Sequence, residues 1–109
     1  MATYSPKPLY EGQPGTGDTL LYTVPAATSA IVLTVTVTNT TGSAATITLG
    51  FKSGATLAAA NEFLTAKSVP ANDVLVYHLR KVLLTGETIR ALQGTSTALT
   101  VMVDGVEFA

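Results

Sequence analysis

The sequence contains no cysteine, which excludes disulfides, thiolate metal sites and cysteine nucleophiles and leaves stability to packing alone. Histidine is almost absent as well, His78 being the one imidazole, so a transition-metal site would have to be built mainly from carboxylates. No metal and no cofactor is expected. Charge is scarce: 12% of the 109 residues are Asp, Glu, Lys or Arg, against about 25% in a typical soluble domain. The six basic residues, Lys7, Lys52, Lys67, Arg80, Lys81 and Arg90, are scattered and the net charge is −1, which provides no electropositive footprint for nucleic acid. No run approaches the ~18 apolar residues that span a bilayer as a helix, and Met1 to Pro6 lacks the basic and apolar stretches of a secretory signal. The expectation is a soluble chain made in the cytosol, with neither nucleic acid nor membrane as a partner.

What the sequence has in quantity is apolar and hydroxyl side chains. Hydrophobic residues make up 47% of the chain and the mean hydropathy is +0.40, ample for one core, and 11.2 kDa leaves room for one domain. Much of the polar surface must then come from Thr, Ser, Asn and Gln, which are cheaper to desolvate at a contact than Lys or Glu. That composition suits a protein that works inside an assembly. A neutral monomer with a threonine-rich exposed sheet would have the same composition.

Residues 1 to 18 hold Pro6, Pro8, Pro14, Gly12, Gly15 and Gly17, a density of breakers that excludes a helix and leaves at most a short extended piece around Leu9 and Tyr10. They are expected to form an extended N-terminal arm, either a loose tail or a strap that buries Tyr4 and Tyr10, preceding a β-sandwich domain over 19 to 109. From Thr19 the apolar pattern has period two. The clearest strand is Ile31 to Thr38, with odd positions apolar and Thr34, Thr36 and Thr38 on the other face. Asn39 to Ser43 carries turn chemistry, and Ala45 to Phe51 repeats the alternation with Ile47, Leu49 and Phe51 inward, which predicts a hairpin with a threonine-coated outer face. Leu99, Val101 and Val103 share a face, and a bulge at Gly105 would shift the apolar positions to Val106 and Phe108. Further strands are expected at Thr19 to Val24, Val74 to Leu79, Val82 to Leu84 and Thr88 to Leu92. The Ala-rich stretch 55 to 64 permits a helical turn, but a loop over 53 to 61 followed by a strand from Glu62 to Lys67 is preferred, because a lone short helix is marginal unless packed. The fold class is therefore all-β: one antiparallel sandwich, jelly-roll-like, of about eight short strands.

Chemistry is hard to find. His78 shares a strand face with Val74 and Val76, and no local spacing supplies a nucleophile or carboxylate partner, so a partly buried or interfacial role is expected. The acids Glu11, Asp18, Glu62, Asp73, Glu87, Asp104 and Glu107 form no calcium loop and read as solvated turn and edge charges. Asn39-Thr40-Thr41 matches a glycosylation acceptor, but turn chemistry explains it without modification. Tyr4, Tyr10, Tyr22, Tyr77, Phe51, Phe63 and Phe108 are expected in the core unless several lie exposed on one face as a sugar-stacking platform. No catalytic residue is assigned, and the chain is not expected to be an enzyme.

The ordered pieces Leu21-Tyr22-Thr23-Val24-Pro25-Ala26, Val37-Thr38-Asn39-Thr40, Thr46-Ile47-Thr48-Leu49, Val69-Pro70-Ala71-Asn72-Asp73 and Leu84-Thr85-Gly86-Glu87-Thr88-Ile89-Arg90-Ala91 together resemble small β-sandwich virion proteins of tailed bacteriophages. The resemblance lies in their order and spacing, and it implies a non-enzymatic structural protein located in the virion. Such a protein would be a capsid decoration protein on the major capsid protein, or a tail, baseplate or fibre module, and often a symmetric homo-oligomer such as a trimer. A carbohydrate-binding sandwich is the alternative of another class. The threonine face, Thr34, Thr36, Thr38, Thr46 and Thr48, and the N-terminal arm are the expected contact surfaces.

Overall fold

A computed structural model describes residues 4–53 and 62–109. Eight strands follow one another: β1 (Tyr4–Gly12), β2 (Thr19–Thr23), β3 (Ser29–Asn39), β4 (Ala45–Ser53), β5 (Glu62–Val69), β6 (Val74–Leu83), β7 (Glu87–Gln93) and β8 (Leu99–Phe108). Most of the loop expected over 53 to 61 lies outside the described residues. Two four-stranded antiparallel sheets face each other, a first sheet in the order β1-β8-β3-β6 and a second in the order β2-β7-β4-β5. Strand β4 pairs with β5, β3 with β6, β2 with β7 and β1 with β8. The chain is thus one long antiparallel ribbon rolled up so that consecutive rungs alternate between sheets, which is a jelly roll.

Burial drives the roll. Between the sheets lie Val32, Val35 and Val37 of β3, Ile47 and Leu49 of β4, Ile89 and Ala91 of β7, and Leu99, Val101 and Val103 of β8, all fully buried. These are the central strands, and β-branched residues dominate them because they pack well on a pleated surface.

The expected hairpin between β3 and β4 does not form. The two strands lie in different sheets, and Asn39 to Ser43 carries the chain from one to the other. Asn39 makes that crossing. It is buried, its Nδ2 donates to the carbonyls of Ser43 (2.8 Å) and Val69 (3.1 Å), and its Oδ1 accepts from the Thr41 amide (2.9 Å) and hydroxyl (2.8 Å). Gln93 plays the same part for the β7–β8 connection, accepting from the Leu99 amide (2.7 Å) and donating to the Pro14 carbonyl. Both side chains satisfy backbone groups that no ladder reaches.

The inward parity of β3 also differs from strict alternation. Ala30 and Val32 are buried, then Val35 and Val37, while Leu33 is exposed. The register with both neighbours slips between Val32 and Thr34, so Leu33 is a bulge that flips the buried face from even to odd positions. On β6 the slip takes in Leu79 and Arg80, and the two segments expected at Val74 to Leu79 and Val82 to Leu84 are one strand running through this bulge.

The bulge expected at Gly105 sits instead in the strands beside it. Strand β8 pairs continuously while β1 slips at Leu9, opposite the Val103–Asp104 step, and β3 slips at Leu33, opposite the Asp104–Gly105 step. A Cβ on Gly105 would collide with the Ile31 carbonyl oxygen and come within 2.9 Å of Leu9 Cδ1. Glycine is needed for this close approach, and the bulged Leu9, itself buried, fills the space over it.

The extended character of the N-terminal segment takes the form of a nine-residue edge strand, longer than the short piece around Leu9 and Tyr10. Pro6 and Pro8 occupy alternate positions of this edge, where a missing N–H facing away from the sheet costs no ladder bond.

Candidate interaction face

The register of the first sheet arranges its outward side chains in rows across the strands. One row runs Pro6, Val106, Ile31, Val82; the next runs Pro8, Asp104, Thr34, His78; the third runs Glu11, Met102, Thr36, Val76; and Thr100, Thr38 and Val74 close the face. Val82 is 48% exposed, Val76 49%, Val74 45% and Met102 38%. Large apolar side chains left half in water and set in register across a sheet differ from the scattered exposed hydrophobics normal on a monomer.

His78 is exposed on this face, beside Val76 and across from Thr34. The partly buried environment expected for it is not found, because inward positions on β6 belong to Leu75, Tyr77 and Leu79, which pack against the core. Asp104 lies on the other side of Thr34 and is also exposed.

The threonine face expected from the sequence is two faces. Thr34, Thr36 and Thr38 lie outside the first sheet, whereas Thr46 and Thr48 belong to β4 in the second. Thr48 Oγ1 is moreover engaged, accepting from the Ala66 amide (3.0 Å) at a bulge where Ala66 has a φ of 44°.

Two acids expected to be solvated are paired. Glu107 continues the inward parity of Leu99, Val101, Val103 and Gly105 and reaches across to the second sheet, where it accepts from the Tyr22 hydroxyl and from Lys7 Nζ (3.1 Å). The bond from Tyr22 holds the Glu107 carboxyl below its ordinary range, assisted by Lys7 and opposed by burial. Burial, and then the adjacent carboxylate, push the Tyr22 phenol well above its usual value. This cluster joins β1, β2 and β8 at the end of the roll where Tyr4 and Phe108 meet, ring centroids 5.6 Å apart. Asp18 pairs with Arg90 at 3.2 Å on the second sheet.

Of the aromatic side chains only Tyr4 and Phe63 are exposed, on β1 and β5, which form opposite lateral margins of the sandwich. Phe63 packs on Phe51 (5.9 Å) and edge-on to Tyr77 (5.4 Å), closing the gap between the sheets rather than forming a platform with Tyr4. Among the described residues no three His, Asp or Glu side chains cluster to hold a metal ion, and no helix is long and apolar enough to cross a membrane. The Asn39 amide, buried with both hydrogens donated, is committed to the turn.

No family model matches the chain, and no curated protein matches it. Solved structures share its fold. Over 99% of this chain and 86% of the other, it superposes with a TM-score of 0.50 and 12% identity on a protein from the Bacillus endospore appendages described as a novel family of disulfide-linked pili. A chain of the infectious bursal disease virus Gx strain gives a TM-score of 0.53 and 10% identity over 99% of this chain, which spans 31% of the viral one. At these identities the likeness is one of fold. Disulfide linkage has no counterpart in a chain without cysteine.

Proposed function

We propose that the chain is a non-enzymatic structural protein of a virion, a capsid decoration protein that binds the outer shell through its jelly-roll surface. The observation that carries this reading is the outer face of the first sheet: rows of partly exposed Val, Met and Thr, with the acids Asp104 and Glu11 and the imidazole of His78 among them. Such a face loses little on desolvation and gains apolar burial on contact, about 25 cal/mol per Å². Repeated over a lattice, contacts that are weak singly become firm attachment. The fold alone does not name a function, but it is shared with a chain of a virus structure and with a protein of endospore appendages described as pili.

Purified protein is expected to co-sediment with empty expanded capsids of its own phage at a copy number matching the shell lattice. A handful of copies per virion, at the tail tip, would reject the decoration role. The likeness to a pilus subunit favours, as a second reading, a tail or fibre module, for which that low copy number is the expected result.

A further inference from the structure

We propose that the outer face of the first sheet binds a second copy of the same chain, about a two-fold axis running along β3. This rests on the assembly reading and narrows it: the face is filled by the paired copy, and the dimer meets the shell through the surfaces it leaves free.

The charges on the face determine the choice of occupant. Asp104 on β8 and His78 on β6 both lie opposite Thr34 on the strand between them, so they flank it at one level, about two strand spacings or ~9.6 Å apart. Turning a second copy by 180° about β3 exchanges the places of β6 and β8. Its His78 then comes over Asp104, and its Asp104 over His78. The same rotation sets Met102 against Val76, Val106 against Val82 and Thr100 against Val74, while Thr34, Thr36 and Ile31 meet their own counterparts on the axis. Across β8, β3 and β6 the acid meets the imidazole and Met102 and Val106 meet valines, with Thr100 against Val74 the one unlike pair, while β1 and its Glu11 lie outside the overlap.

The other two-fold arrangement fails on the same map. An axis across the strands lays β6 on β6 and β8 on β8, which sets His78 on His78 and Asp104 on Asp104, or either of them on valine or methionine. Rotation about β3 instead keeps the strand directions aligned, the commoner way for two sheets to stack, at about −30° and ~10 Å apart. A two-fold contact of this kind is isologous, so each favourable pair occurs twice.

Sedimentation velocity on the full chain at rising micromolar concentration tests the proposal, and a reversible monomer–dimer equilibrium is expected. Thr36→Arg, which sets like charges against each other on the axis, should weaken dimerisation about tenfold or more, with an unchanged thermal midpoint for the monomer. Asp104→Lys should weaken it too, and adding His78→Glu to that variant should restore it with the charges exchanged, a recovery that damage to the fold would not produce. A chain that stays monomeric at every concentration overturns the proposal, as does a double variant that fails to recover. If the wild type is monomeric but Thr36→Arg abolishes capsid binding, the face belongs to the shell protein and the proposal is wrong. A dimer that does not bind capsids overturns the decoration role and leaves the self-contact standing.

Discussion

Gly105 and Leu9 act as a unit. The glycine lets the Ile31 carbonyl approach β8, and Leu9 covers the space a side chain would have taken. Gly105→Ala should therefore cost about 2–3 kcal/mol, the upper range for forcing a methyl into a packed core, read as a lower urea midpoint. The Tyr22–Glu107–Lys7 cluster makes a pH-dependent contribution. Glu107 is held below its ordinary value near 4.5, so its stabilisation is present above that pH and is lost as pH falls through the lowered value. Tyr22 is raised above its ordinary 10.0, so its contribution is full below pH 10.0 and is lost as pH rises towards the raised value. Tyr22→Phe should cost about 1.5 kcal/mol at neutral pH, and the gap from wild type should close in acid as Glu107 takes up its proton. Thr97, a β-branched residue with a φ of 57°, is strained. Thr97→Gly should raise stability by about 1 kcal/mol, the lower end of the cost of that conformation.

At the scale of the element, Asn39 shows how a turn signal can be correct and yet mislead. Asn39 to Ser43 does turn the chain, but turn residues specify a reversal and not the sheet in which the next strand pairs. Asn39→Ala would leave two carbonyls and an amide without the partners they have now, and should cost about 3 kcal/mol in a chemical melt. Strands themselves were legible wherever Thr alternated with Val or Ile, as from Thr34 to Thr38 and Ala45 to Leu49, because a half-buried strand must alternate. The slip at Leu33 was not: Ile31, Val32 and Leu33 are all apolar, and either parity fits them. Glu107 looked like an edge charge because its partner Tyr22 is 85 residues away. The candidate face was legible only in part. The Thr residues and His78 marked its outline, but their alignment with Met102 and Asp104 depends on a register that no local pattern encodes.

For the whole molecule, the pairing of first strand with last delays folding. The rung between β1 and β8 closes almost the full length of the chain, and such non-local contacts bear their loop entropy before they return any stabilisation. Refolding should be slow for the chain length, below about 10 per second in stopped-flow fluorescence. A circular permutant tests the cause. Tyr4 and Phe108 meet, and the β7–β8 connection is exposed at Thr95 and Ser96. Joining the ends by a short linker and opening the chain there turns β8 and β1 into a local hairpin. That variant should reach the same fold several-fold faster; an unchanged rate would point to some other step.

Pro6 and Pro8 bear on how copies can grow into larger structures. Ribbon-like polymerisation by strand addition needs two receptive margins on every subunit, one to accept and one to be accepted. The first sheet has β1 on one margin and β6 on the other, and the two prolines remove donors from the β1 side. A subunit built this way terminates an edge-to-edge series instead of propagating it, so through this sheet the protein is biased towards closed, countable assemblies and away from open fibres.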